Sequence, residues 1–178
     1  MLLLRTENLA EGANWLYEIK YDGFRAVAIK VGGKVSLTSR NNNNFTSRYP
    51  IVAKALAAIP DDTVLDGELV ALDEEGRPSF NVLQNYSSSN APLFYYVFDV
   101  MMLAGPMSMN KPLERRRELL RRAISKVKEP VRISHDLNAS LGDLITSVKA
   151  QGFKGLVAKT LATRCARIAG AIAAGQDG

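Results

Sequence analysis

The sequence predicts an α+β domain built from mainly antiparallel sheets flanked by helices, and three observations carry that prediction. Period-two segments meet at tight turn signals, as where FRAVAIKV passes through Gly32-Gly33 into KVSLTSR. Strands are mixed with helical patterns in an order that suits antiparallel pairing. The 178 residues, 47% of them hydrophobic, suffice for one sizeable core.

Each element has its own signal. WLYEIKYDG reads as a strand that joins FRAVAIKV and KVSLTSR in one hairpin unit over residues 15–39. NNNN at 41–44 is a loop, and Pro50 opens a helix through IVAKALAAI that Pro60 ends. TVLDGELVALD is a strand followed by the turn DEEGRP, and PSFNVLQNYSSSNAP holds a short helix and a polar loop. APLFYYVFDVMML, interrupted only by Asp99, predicts a strand buried on both faces. LERRRELLRRAISKVK is a basic amphipathic helix with Leu113, Leu119, Leu120 and Ile124 as its apolar stripe. VRISH is a short strand. Ser140 and Asp143 form a capping-box start for a helix with Leu141, Leu144, Ile145 and Val148 on its core face, stopped at Gly152. FKGLVAKT is the last strand. The tail ATRCARIAGAIAAGQDG carries too weak a periodicity for any element.

Composition narrows the function classes. A net charge of +5 and a pI of about 9.4 favour an anionic partner, with nucleic acid or a nucleotide ahead of a membrane surface. One cysteine, Cys165, excludes an internal disulfide framework, and the single His135 argues against a histidine-rich metal cluster. The start MLLLRTENLAEG is too short an apolar run for a signal peptide, and no window approaches a membrane span. The expectation is a soluble intracellular protein.

Two segments carry the chemistry. In WLYEIKYDGFRA the alternation sets Tyr17, Ile19 and Tyr21 on one side and Glu18, Lys20 and Asp22 on the other. A lysine is a nucleophile only when deprotonated, and burial or nearby cations favour that form, whereas carboxylates alone oppose it. A solvated strand face explains these charges equally well. In VLDGELVAL, Asp66 and Glu68 lie in a strand that looks apolar on both faces, so they require a metal ion or basic partners. An edge strand with its acids in water is the alternative. Taken singly, Arg40 in SRN, Phe98 in YYVFDV and Lys159 in GLVAK read most simply as a surface cation, a core aromatic and a solvent contact.

In order, EIKYDGFR, SRN, LDGELVALD, YYVFDV and KGLVAK resemble the nucleotidyltransferase core of ATP-dependent DNA ligases, most of all the ligase module of bacterial end-joining ligases. The resemblance runs from about Trp15 to Lys159 and implies an ATP-grasp-like core lacking the OB-fold domain, with an adenylation domain over 1–160 and an atypical tail over 161–178. It implies that Lys20 attacks the ATP α-phosphate to form lysyl-AMP, with Asp22 orienting it. Glu18 and the Ile19 backbone would meet the adenine, Phe98 would stack on it, and Val157 would form the opposite wall. Gly23 would permit close packing. Arg25 and Arg40 would contact ribose or phosphates, and later the 5′-phosphate of a nick. Glu68 would bind the ribose or a divalent ion, Mg²⁺ or Mn²⁺, and Lys159 would reach the α-phosphate. The cations at Arg25, Arg40 and Lys159 would favour the neutral form of Lys20. The implied partner is nicked or broken double-stranded DNA, met by a monomer in the bacterial cytoplasm at the nucleoid, with no membrane.

The chain also departs from the family pattern. Lys154 stands before Gly155 where the family usually has an acidic residue, which reverses a charge beside the site and predicts weaker metal or nucleotide binding. The downstream K-x-K is absent, and the tail differs from the family's basic continuation, so the expectation is a C-terminally incomplete domain with slow self-adenylation and poor sealing. RNA ligases and capping guanylyltransferases share the lysine chemistry, but LDGELVALD and YYVFDV fit DNA ligases better. A nucleotide- or DNA-binding remnant without catalysis is the alternative, with the basic helix meeting phosphates. A solvated face is the simpler reading of that helix.

Overall fold

The computed structural model describes residues 3–6, 8–164 and 170–174. The chain runs β1 (Leu3–Arg5), β2 (Trp15–Ile19), β3 (Phe24–Val31), β4 (Lys34–Ser39), α1 (Pro50–Ala55), β5 (Thr63–Ala71), α2 (Phe80–Gln84), β6 (Leu93–Met102), α3 (Leu113–Ala123), β7 (Val131–Ile133), α4 (Leu141–Ala150), β8 (Gly155–Thr160) and β9 (Gly170–Ala174). A first sheet has the order β1-β9-β8-β2, and a second has the order β4-β3-β5-β6-β7. Most pairings are antiparallel; β1 with β9 and β6 with β7 are parallel. The predicted α+β class therefore holds.

The β3–β4 turn forms where expected, with Gly32 and Gly33 both at positive φ, +55° and +76°. The hairpin unit predicted for residues 15–39 needs correction. β2 leaves β3 at Lys20 and pairs with β8 in the other sheet, with Glu18 opposite Val157 and Leu16 opposite Lys159. A two-fold alternation fixes which face a side chain takes but not which strand lies alongside. β5 is a central strand between β3 and β6, which excludes the edge-strand reading of Asp66 and Glu68. β6 is not buried on both faces. Leu93, Tyr95 and Val97 are buried, whereas Phe94, Tyr96 and Phe98 on the other face are half-buried. The tail, for which the sequence assigns no element, supplies β9, and Cys165 lies outside the described residues.

Each sheet buries one face in its own core. Ala26, Ala28, Leu65, Leu69, Tyr95 and Val97 pack with Val52, Leu83 and Leu120 behind the second sheet. Tyr17, Leu156 and Ala158 pack with Leu141, Leu144 and Val148 of α4 behind the first. α4 starts as predicted, with Asp143 N donating to Ser140 Oγ at 3.2 Å, and Gly152 beyond its end has φ +71°. Close backbone contact explains Gly67 of β5 and Gly23 just before β3. A Cβ on Gly67 would lie 2.6 Å from the Tyr96 carbonyl oxygen, and one on Gly23 would lie 2.0 Å from that of Leu69.

The solvated-face reading of α3 holds for Arg115, Arg121 and Arg122, which are exposed, but not for Arg116 and Arg117. Leu113 and Leu120 are fully buried as expected, but Arg116 and Arg117 lie on the same inward side, 0% and 3% exposed. Arg116 donates from Nε to Asp99 Oδ1 at 2.7 Å and from Nη2 to Oδ2 at 3.1 Å, and its Nη1 reaches the carbonyls of Lys111 and Thr163. The one charge in the apolar β6 run thus fastens α3 to the sheet. Arg116→Met would leave Asp99 buried without its cation, so urea unfolding should show a loss of about 3–5 kcal/mol. Arg116→Met combined with Asp99→Leu should recover most of it.

Candidate active site

The unpacked faces of the two sheets meet across a cleft. On β2 and β8 the alternation that sends Tyr17, Leu156 and Ala158 into the core leaves Glu18, Val157 and Lys159 on the opposite side, toward the cleft. On β3, β5 and β6 the same logic leaves Arg25, Glu68 and Phe98. Together with Ile19, Lys20, Tyr21 and Ser134, these residues line a cavity of about 150 Å³.

The floor is a buried ionic network. Glu18, 2% exposed, accepts from Arg117 Nη1 at 2.8 Å, from Lys159 Nζ at 2.7 Å and from Ser134 Oγ at 3.2 Å. Arg117 also donates to the Ser134 carbonyl and to Asp136. A carboxylate with so little water needs such partners, because an unpaired buried charge is very costly. The Lys159 ammonium also lies 4.7 Å from the Phe98 ring centroid, and the Arg25 guanidinium lies 5.6 Å from it.

The second sheet adds another bound pair. Arg25 donates from Nε to Asp66 Oδ1 at 3.0 Å, and its Nη2 reaches Oδ2, a two-pronged contact with a 5%-exposed acid. Glu68, opposite Arg25 across β3 and β5, has no hydrogen-bond or ion-pair partner among the described residues. Burial above all pushes its carboxyl up to about 8, against the opposing pull of Arg25 and with help from Asp66 and Asp22. Lys20 sits beside it. Its backbone N donates to the Gly155 carbonyl at 2.9 Å, while its ammonium has no partner among the described residues. Asp22 pairs with Lys154 at 2.9 Å.

Residues 5–166 match the family model of the ATP dependent DNA ligase domain. The chain belongs to that family. Over 151 residues it is 37% identical to the multifunctional non-homologous end joining protein LigD of Pseudomonas aeruginosa, covering 83% of this chain and 18% of that protein. It is 30% identical to a DNA ligase of Saccharolobus solfataricus, covering 84% of this chain and 28% of that one. The solved mycobacterial DNA ligase D complexed with ATP and MES superposes with a TM-score of 0.78 at 26% identity, over 96% of this chain and 59% of that one. The fold is thus that of the LigD ligase domain, and the chain spans about a fifth of the LigD relatives.

Of the candidate residues of this ligase domain, Glu18, Ile19, Lys20, Arg25, Glu68, Phe98, Val157 and Lys159 converge on one cavity. Asp22 stands beside it, tied to Lys154. Arg40 is exposed at the end of β4 and does not line the cavity. Tyr21, Ser134 and Arg117 escaped the sequence reading. Tyr21 stacks on Tyr96 with centroids 4.1 Å apart. Arg117 had a legible signal: it falls four residues after Leu113 and three before Leu120, on the apolar stripe itself.

Among the described residues, no group of three or more His, Cys, Asp or Glu side chains could hold a metal ion. A magnesium ion carried on phosphates needs only one or two protein carboxylates. The unpartnered Glu68 fits that demand, and a cage made by the protein alone does not fit.

The raised Glu68 carboxyl has a consequence for stability. Its protonated form is favoured in the folded chain, so the stability it contributes is full below the ordinary value of 4.5 and is lost as pH rises through about 8. Glu68→Gln should therefore gain stability on the wild type across that window, reaching about 1–3 kcal/mol at its upper end in urea unfolding. Parallel curves for the two proteins would contradict the assignment.

Proposed function

We propose that this chain is the self-adenylating part of a DNA-joining enzyme, with Lys20 as its nucleophile. The Lys20 Nζ–Pα bond forms as the bond from Pα to the bridging oxygen of the pyrophosphate breaks. The amine gives up its proton, and pyrophosphate leaves. One observation carries this reading: every other Asp, Glu, Lys or Arg side chain around Lys20 except Glu68 is paired with an opposite charge, while its own ammonium is not paired among the described residues. A nucleophilic amine must be free to approach the phosphorus, and among the described residues no ion pair holds that of Lys20.

The remaining groups supply positioning and charge, which make up most of nucleotidyl transfer. Phe98 offers its ring to the adenine and Val157 the facing wall, with Glu18 and the Ile19 backbone at the edge of the base. Arg25 meets ribose and phosphate oxygens. Lys159 reaches the α-phosphate by exchanging one anion, Glu18, for another. A divalent ion, Mg²⁺ or Mn²⁺, would be held by Glu68 and would neutralise phosphate charge. Adenylate would then pass from Lys20 to the 5′-phosphate of nicked or broken double-stranded DNA, as the end-joining names of the relatives suggest. We place this activity in a monomer. No helix among the described residues is long and apolar enough to cross a membrane.

The pairing of Lys154 with Asp22 favours the second reading, a remnant that binds nucleotide or DNA without catalysis. Incubation with α-labelled ATP and Mg²⁺ separates the two. The proposal expects covalent label that pyrophosphate removes, that falls to background in Lys20→Ala, and that GTP supports at least about tenfold less well. A folded wild-type chain that binds ATP but takes up no label would support the remnant.

A further inference from the structure

Lys20 sits where the chain crosses from one sheet to the other. β2 ends at Ile19 in the first sheet, and β3 begins at Phe24 in the second. Were β2 to continue, alternation would send the Tyr21 ring to the side of Tyr17, into the core against α4. It goes the other way. The Tyr21 ring stacks on Tyr96 of β6, with centroids 4.1 Å apart and planes 15° from parallel. Tyr96 is itself braced by Arg132 of β7, which donates from Nη1 to its hydroxyl at 3.4 Å and lies 3.8 Å from the Phe94 ring centroid. Glu129 in turn accepts from Arg132 Nε at 2.8 Å.

The Lys20 backbone is therefore held from both sheets. On one side its N–H donates to the Gly155 carbonyl at the start of β8, 2.9 Å away. On the other, the next residue is stacked on β6, and Gly23 presses on the Leu69 carbonyl of β5. The Lys20 ammonium has no such tether, since it makes no hydrogen bond or ion pair among the described residues. On a flexible four-carbon stem, the reach of the amine is set by where Cα stands and which way Cβ points. Attack on phosphorus tolerates little error here: a displacement of about 1 Å costs about a hundredfold in rate.

We propose that Tyr21 is a positioning residue for Lys20: its stack on Tyr96 fastens the crossing segment to the second sheet and so fixes the base from which the lysine reaches the α-phosphate. Tyr21 acts through the backbone of its neighbour and takes no part in the bond changes. The catalytic half of this inference rests on the adenylation reading, whereas its structural half is measured without nucleotide.

Tyr21→Leu, Tyr21→Phe, Tyr96→Leu and the double leucine variant are made in the full chain, and thermal melts establish that each folds. Amide hydrogen exchange, read residue by residue by NMR, tests the anchor. The Lys20 amide should exchange about tenfold or more faster in Tyr21→Leu and in Tyr96→Leu, while amides within β2 keep wild-type rates and Tyr21→Phe keeps the protection. Time courses of covalent label at varied ATP test the consequence. Leucine at either position should lower the saturating rate about tenfold or more, with half-saturating ATP within about twofold of wild type. Phenylalanine at position 21 should restore the rate, and the double variant should lose no more than the slower single variant, because both remove one contact. Wild-type exchange at Lys20 in Tyr21→Leu would overturn the proposal. So would losses that add in the double variant, or a Tyr21→Phe as slow as Tyr21→Leu. A wild type that takes up no label would sink the adenylation reading, and the exchange rates would still decide the anchor.

Discussion

The buried carboxylate of Glu18 is the point on which the two sheets depend for their mutual placement. It sits on β2, yet its partners come from β8, from α3 and from the segment after β7, so both sheets contribute to its solvation. Such an anion is tolerable only when several donors replace its lost water, and here three do. The reverse demand is as strong. Arg117 is 3% exposed, and without Glu18 and Asp136 its charge would be stranded beneath α3. Each side of the cleft thus requires the other, and the cavity is the space left between faces that cannot pack together because they carry charge.

From that constraint follows the distribution of charge around Lys20. The cleft is rich in both signs, but the pairs form between neighbours fixed by strand register: Arg25 reaches Asp66 on the adjacent strand, and Lys159 reaches Glu18 on the strand beside it. Lys20, one residue beyond the end of β2, falls outside these pairings. Glu68 is likewise left over, and burial holds its proton on. Among the described residues, an amine and a carboxyl that form no hydrogen bond or ion pair, side by side, make a centre prepared for a polyanion that brings its own metal.

Much of this was legible in the sequence wherever periodicity alone decides. Two-residue alternation correctly set Glu18 apart from Tyr17, and Asp66 and Glu68 apart from Leu65 and Leu69, but it fails where β2 ends: Ile19 and Tyr21, grouped with Tyr17, line the same cavity as Glu18 and Lys20. Partner choice was not legible, because nothing local to WLYEI says that β8, more than a hundred residues later, lies alongside it. The short β1 and β9 depend on each other and on β8, so neither has a signal of its own. Arg116 and Arg117 were hidden by the habit of reading arginines on a helix as solvated. Their place on the Leu113–Leu120 stripe pointed to buried acids, and Asp99 and Glu18 were available. Arg40 joined the candidates through its motif, and the structure leaves it on the surface away from the cavity.

Tandem mass spectrometry of peptides from the chain after incubation with ATP and Mg²⁺ tests most directly the claim that the fold reserves one amine for chemistry. A single AMP on the peptide that contains Lys20, at that residue, is the predicted result. AMP on Lys159 or Lys154 instead would contradict it, because both of those amines are already bound to carboxylates.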